Sequence, residues 1–264
     1  MIDYTGTAAL VTGGASGIGR ALAQAIAARG AAVVVADRDA AGAEETARMC
    51  GAGASALTVD LSDPGAAARM VAEAFVRHGR LDLVASNAGL SYPKRLLKAE
   101  LDSPGVVDLF EVNFWAGLRI AQAYVAELEA RGQRGRLLLT GSENSLSVPA
   151  AVKGAGLGLY AATKHALLIA AEWLRDELAG GGKPLDLHIL LPGGVYTPMI
   201  AKRIPDFAAA PPELALILPE RCAELALAGL DAGLFYIPTH AHLADDMAPR
   251  AEGVRAALTQ LGLR

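Results

Sequence analysis

Tyr160-Ala161-Ala162-Thr163-Lys164 sets a phenol and an ammonium four residues apart in a stretch of helical composition. That spacing puts both side chains on one helix face, one turn apart. A free tyrosine, with a pKa of about 10, is a poor base at neutral pH, and a neighbouring ammonium favours its phenolate. Such a pair can take a proton from an alcohol as its hydride leaves, or return one to a carbonyl. Ser142 directly follows the apolar run 137–140, so its hydroxyl stands at a strand's C-terminal end. There it can donate a hydrogen bond to the substrate oxygen and align it with the tyrosine. Ser145 and Ser147 are rivals for this role. Asn113, in a long helical stretch upstream, is placed to hold a water for proton relay.

A second constellation binds nucleotides. Thr12-Gly13-Gly14-Ala15-Ser16-Gly17-Ile18-Gly19 follows an apolar strand and opens a helix, with spacing GxxxGxG. Glycines there let the backbone turn tightly and approach a pyrophosphate, whose charge sits at the helix N-terminus. Asp37 stands 18 positions after Gly19, at the end of the second apolar run. An acid there accepts hydrogen bonds from the adenosine ribose and repels a 2′-phosphate, which favours NAD over NADP. Arg38 opposes that preference, because a guanidinium beside the ribose can hold the phosphate.

The elements that must position these groups alternate almost from end to end. Strand signals fall at 8–12, 32–37, 55–60, 81–87, 136–141, 186–191 and 234–238. Helical patterns fall at 18–29, 40–50, 64–78, 104–131, 159–178 and 219–232, with a last one from 243 onward. Continuously apolar strands are buried on both faces, and their alternation with helices implies right-handed crossovers. The predicted fold is α/β, a doubly wound seven-stranded parallel sheet with helices on both faces, in one domain over 1–264. Two long connections, 142–158 and 193–218, follow strand C-terminal ends, where ligands of such sheets bind. They are the expected substrate loops.

The composition narrows the partners. A net charge of −4 and the lack of any Lys/Arg run argue against nucleic acid. The longest apolar stretches, such as 30–36, are too short to span a bilayer. The N-terminal residues lack the pattern of an export signal, and Cys50 and Cys222 are the two cysteines, so a reducing cytoplasm is expected.

Taken together these motifs resemble the short-chain dehydrogenase/reductase family. The resemblance runs from about Thr7 to Pro238 in the family's order. It includes the glycine turn, Asp37, Asp60-Leu61, Asn87-Ala88-Gly89, Asn113, Ser142, Tyr160 with Lys164, and Pro192-Gly193-Gly194-Val195-Tyr196-Thr197. It implies a Rossmann-type dehydrogenase that transfers a hydride between NAD(H) and a secondary alcohol or ketone. By that resemblance Tyr160 is the acid/base, and Lys164 lowers its pKa while holding the nicotinamide ribose. Ser142 orients the substrate, and Asn113 supports the proton relay. Asp60 and Leu61 flank the adenine, Asn87 braces the centre of the sheet, and Val195 and Thr197 meet the nicotinamide carboxamide. Gly13, Ser16, Gly17, Ile18, Gly19, Arg38, Ala88, Gly89, Pro192 and Gly193 complete the cofactor set. One departure is visible: Ser142 lies 18 residues before Tyr160, whereas Ser147 has the family's usual interval. Ser142 is preferred because it directly follows the strand.

Leu90, Tyr92, Leu146, Val148, Leu157, Tyr196, Met199, Ile204 and Phe207 are candidate pocket walls. Most are apolar, so a small-molecule alcohol or carbonyl with a hydrophobic body is expected. Glu143 either binds a substrate hydroxyl or amine, or faces solvent. His240 and His242, with Asp245 and Asp246, are read as a polar turn capping the final helix rather than a metal site. The family's usual assembly implies a homodimer or homotetramer through Phe114, Trp115, Leu118, Trp173 and Leu174, unless these pack on the chain's own sheet. The alternative to an enzyme is a catalytically silent NAD(P)-binding sensor or scaffold of the same fold.

Overall fold

The side chains of Ala8–Thr12 alternate between two separate apolar layers, and that alternation organises the molecule. In the computed structural model, which describes residues 2–263, this run is β1. Ala8 and Leu10 pack into one core, Ala9 and Val11 into the other. The same split recurs in β2 (Ala32–Asp37), β5 (Gly135–Thr140) and β6 (Leu185–Leu191). A strand buried on both faces needs apolar residues at every position, which is why these runs are continuous.

With β3 (Ser55–Thr58), β4 (Leu83–Ser86) and β7 (Tyr236–Pro238), the strands form one parallel sheet in the order β3-β2-β1-β4-β5-β6-β7. Its register runs Ala8 to Ala32 on one side of β1 and Ala9 to Leu83 on the other. The chain winds outward from β1 to β3, then restarts at β4 on the other side. Connections therefore diverge between β1 and β4, and a crevice opens at the strands' C-terminal ends.

Helices α1 (Gly17–Ala27), α2 (Ala40–Cys50) and α8 (Pro219–Asp231) carry one apolar layer. Helices α3 (Ala66–His78), α5 (Ala116–Arg131) and α6 (Gly158–Gly180) carry the other. Short α7 (Pro198–Ala201) lies in the 193–218 connection, and α9 (Leu243–Gln260) follows β7. The predicted helix over 104–131 is interrupted. α4 (Pro104–Phe110) leads into a π-turn at Glu111–Trp115 before α5 begins. Such a turn inserts one extra residue into the helical ladder, and here it surrounds Asn113. Cys50 and Cys222 are free thiols, and burial pushes the Cys222 thiol up to about 12. No helix among the described residues is long and apolar enough to cross a membrane.

Candidate active site

The turn after β1 is built on positions where a side chain has no room. Gly13 and Gly17 adopt φ of +64° and +53°, the left-handed region that favours glycine. A Cβ on Gly13 would lie 2.8 Å from the Ala88 Cα, and one on Gly19 would lie 2.1 Å from the Gly13 carbonyl oxygen. Gly19 thus packs α1 against the turn and does not itself line the crevice. The α1 N-terminus has no side-chain cap from Ser16 and no acid in its first turn. Its leading N–H groups are therefore left to an outside acceptor, which suits a pyrophosphate.

Asp37 shapes this turn from the end of β2. Its two carboxylate oxygens accept hydrogen bonds from the Ala15 N–H and the Asp39 N–H, each at 3.0 Å. Lone pairs remain on both oxygens for ribose hydroxyls. Arg38 lines the crevice beside it. Asp60 accepts from the Ser62 N–H and hydroxyl, which hold its carboxyl below the usual range, and Leu61 follows it on the wall.

The middle of the crevice is braced by Asn87. Its N–H donates to Thr12 Oγ1 at 2.9 Å and its side-chain amide to the Thr12 carbonyl at 3.2 Å, while its Oδ1 accepts from Thr140 Oγ1 at 3.4 Å. One side chain thereby ties the ends of β1, β4 and β5. Ala88 and Gly89 continue the wall, and Pro192, Gly193, Val195 and Thr197 face them from the end of β6.

At the far end stand Ser142, Tyr160 and Lys164, lining the same crevice of about 790 Å³. Of the three candidate serines, only Ser142 lines it. Ser145 instead spends its hydroxyl on the Ser142 N–H at 3.1 Å. The Ser142 hydroxyl is held by the Asn144 N–H at 3.2 Å and interacts with the Tyr160 phenol. Lys164 is 3% exposed and donates to the Thr140 carbonyl at 2.7 Å, with its Nζ 5.8 Å from the Tyr160 ring centroid. Burial pulls Lys164 down to about 8. The phenol does not follow the expectation of a lowered pKa. Burial raises it, the Ser142 hydrogen bond offsets this in part, and the Glu143 carboxylate raises it further.

Several expected positions lie elsewhere. Asn113 is buried outside the crevice wall, with no spare donor for a water. Its Oδ1 accepts from the Leu90 N–H at 2.7 Å, and its amide donates to the Leu90 carbonyl at 3.0 Å and Thr163 Oγ1 at 3.1 Å. It clamps the strand-β4 loop to α6 through the π-turn. Met199 lines the crevice, but Glu143, Leu146, Val148 and Tyr196 do not. Leu146 turns inward onto the α5/α6 core, and Val148 is 64% exposed. The Tyr196 hydroxyl donates to the Pro205 carbonyl at 2.7 Å, and its ring packs edge-on against Phe207. Glu143 is paired with His242 at 3.0 Å. Among the described residues no three His, Cys, Asp or Glu side chains converge as metal ligands. The crevice also holds residues the sequence analysis missed: Pro198, Ile200, Lys202 and Arg203 on and after α7, and Ser91 and Pro93 after β4. Two adjacent cations in a loop that follows a strand end were the one available signal for Lys202 and Arg203.

A glycine turn at a bare helix N-terminus, joined by one crevice to a serine, a tyrosine and a buried lysine, defines a dinucleotide-dependent oxidoreductase. The profile of the short chain dehydrogenase family matches residues 7–207. This chain belongs to that family. The 1-deoxy-11-beta-hydroxypentalenate dehydrogenase of Streptomyces exfoliatus is 42% identical over 198 residues, covering 73% of this chain and 69% of that protein. A Burkholderia phymatum short chain dehydrogenase/reductase, solved with NAD, superposes with a TM-score of 0.83 at 24% identity, covering 97% of each chain. A Sphingobium yanoikuyae short-chain dehydrogenase, solved with NADPH, gives 0.76 at 24% identity, covering 96% of this chain and 95% of that one. Those two structures share the fold. The protein is an oxidoreductase that moves a hydride between a nicotinamide nucleotide and an alcohol or ketone carbon of a small molecule.

Proposed function

We propose that this protein interconverts a secondary alcohol of largely hydrophobic body and its ketone, using NAD, within one domain whose substrate loops are 142–158 and 193–218. The observation that carries this is that Ser142, Tyr160 and Lys164 line one end of the crevice whose other end is the α1 N-terminus. The 1-deoxy-11-beta-hydroxypentalenate dehydrogenase relative bears the name of a hydroxylated carbon skeleton, and Leu90, Pro93, Val112, Met199 and Ile200 line this crevice with apolar surface.

A bound nicotinamide supplies the hydride acceptor or donor. The chain's own residues do the rest. Ser142 donates to the substrate oxygen and Tyr160 moves the proton at that oxygen. Kept protonated by burial, Tyr160 is ready as the acid for ketone reduction, and it must first lose its proton to act in alcohol oxidation. Lys164, pulled down to about 8, takes or gives a proton close to neutral pH. Asn113 holds the Leu90 loop and α6 in register, so the phenol stays aimed at the crevice.

NAD is favoured because the Asp37 carboxylate lines the crevice at the end of β2 and repels a 2′-phosphate, although Arg38 beside it has no carboxylate partner within ion-pair distance among the described residues. Following the absorbance of reduced nicotinamide with NAD and with NADP, across secondary, aromatic, steroid, terpenoid and polyol alcohols, tests the assignment. Turnover of apolar secondary alcohols with NAD is expected. Lack of turnover throughout, or a preference for NADP, refutes it.

We also propose a homo-oligomer formed through α5 and α6. Phe114 and Leu174 pack on the chain's own core, but Trp115 is 44% exposed and Trp173 67%, two large apolar side chains left for a partner to cover. Sedimentation showing a monomer at micromolar concentration would overturn this.

A further inference from the structure

Behind Ser142 lies a cluster that the hydride chemistry does not use. Glu143 follows the serine, and its N–H donates to the Pro192 carbonyl at 2.7 Å. Its carboxylate, 11% exposed, accepts from Nε2 of His242 at 3.0 Å. That nitrogen is also 3.9 Å from the Asp246 carboxylate on α9. A carboxylate so enclosed is costly without a hydrogen-bonded partner, and His242 reaches it from 99 residues away.

The residues just before His242 hold the opposite loop. His240 Nε2 donates to the Ala215 carbonyl at 2.9 Å, which leaves Nδ1 of the neutral ring to accept from the Gly193 N–H at 3.3 Å. Thr239 Oγ1 accepts from the same N–H at 3.1 Å. The His240 ring lies so close over Gly193 that a Cβ there would sit 2.6 Å from Nδ1. Residues 239–242 thus bond both the turn that carries Ser142 and the loop that runs from Gly193 to Ala215. The family match ends at residue 207, so this strap is built from chain beyond it.

We propose that His242, acting through Glu143, is a positioning residue for Ser142, and that residues 239–242 strap the two loops of the active site together. The inference rests on the dehydrogenase reading above. Ser142 caps the short helical turn that Glu143 begins, its hydroxyl accepting from the Asn144 N–H, so a shift of that turn's backbone displaces the serine hydroxyl. Misplacing a catalytic group by about 1 Å can cost a hundredfold in rate. The pair also sets the field at the phenol. Charged groups at Tyr160 are Lys164 from its own helix and Glu143 from the turn, and Lys202 and Arg203 after α7 line the same crevice. His242 and, on α9, Asp246 stand behind Glu143, and residues 192–197 bring no charge.

Three variants test the strap: His242→Ala, His242→Gln and Glu143→Gln. Steady-state rates on the best alcohol from the screen are compared with NADH affinity, read by fluorescence titration. His242→Ala lowers kcat by about tenfold to a hundredfold and leaves NADH affinity unchanged. His242→Gln recovers most of the loss, because its amide donates to the same carboxylate. In ¹³Cζ-tyrosine NMR, with the resonance assigned by Tyr160→Phe, Tyr160 titrates at lower pH in Glu143→Gln and moves in His242→Ala.

An unchanged kcat in His242→Ala, or equal losses in the Ala and Gln variants, overturns the proposal. So does a parallel fall of kcat and NADH affinity, which would make the contact one of general stability. If no alcohol is turned over, the dehydrogenase reading fails by itself. The strap is then decided by the NMR, where an unmoved Tyr160 resonance in both variants refutes it.

Discussion

Replacing Lys164 by methionine exposes the cost of keeping an ammonium dry. The side chain is 3% exposed, its one hydrogen bond goes to the Thr140 carbonyl, and no carboxylate lies within ion-pair distance among the described residues. Burial lowers its pKa from 10.5 to about 8. At 1.36 kcal/mol per unit, the protonated side chain costs the folded state about 3 kcal/mol. Because the folded pKa lies below the unfolded one, that cost is borne in full below pH 8. Between pH 8 and 10.5 the unfolded chain binds more protons than the folded one, so stability rises with pH. Above that window both states are neutral and the cost is gone. The methionine variant lacks this dependence.

Urea unfolding of the cofactor-free proteins, at matched ionic strength from pH 7 to 10.5, measures the difference directly. Alkaline effects from other groups are common to both proteins and cancel. The wild-type protein should gain about 3 kcal/mol on the variant over this range, mostly above pH 8. Loss of the bond to Thr140 offsets the curves but does not tilt them. A gap constant to within about 0.5 kcal/mol would show that Lys164 is hydrated and that the reasoning from burial is wrong.

Tyr160→Phe should abolish turnover while leaving NADH affinity largely intact, as steady-state kinetics beside fluorescence titration will show; retained turnover would put the acid/base elsewhere. Asp37→Ala should narrow the preference for NAD in kcat/KM ratios. It should also weaken binding of both cofactors, because the same carboxylate holds the Ala15 N–H of the glycine turn. Asn113→Leu leaves the half-buried Leu90 N–H and carbonyl and the buried Thr163 hydroxyl without their side-chain partner, which should cost about 2–5 kcal/mol. Thermal unfolding should fall by about 5–15 °C, and an unchanged midpoint would mean the clamp is dispensable.

What the sequence made legible is what local chemistry dictates. Short continuous apolar runs bounded by turns and alternating with helical patterns read as strands buried on both faces, so the doubly wound parallel sheet follows from them. The glycines at 13, 17 and 19 declare a turn with no room for Cβ, and Asp37, Asn87, Ser142 and Pro192 announce themselves by standing at strand ends. The substrate wall was less legible, because the direction of a loop side chain is set by packing rather than by type. Leu146 is apolar and adjacent to the site, yet the core behind it competes for the same side chain and wins. Tyr196 finds a carbonyl at Pro205 and turns away. The π-turn at Asn113 was hidden for another reason. Residues 104–131 keep a helical pattern throughout, and the extra residue is stabilised by bonds to Leu90 and Thr163, distant in sequence.

The pairing of Glu143 with His242 was illegible in sequence yet follows from the topology. In a parallel sheet every strand ends at the same edge, so the first residues after each strand gather there whatever their separation along the chain. Neighbouring strands lie about 4.8 Å apart. Residues leaving β7 therefore arrive one strand from those leaving β6 and two from those leaving β5. His240 meets Gly193 by the first step, and His242 meets Glu143 by the second. The turn that carries Ser142 is thus bonded by residues leaving the neighbour of its neighbouring strand. A chain that carried Glu143 without residues beyond β7 would leave a carboxylate enclosed and unpaired beside its own tyrosine.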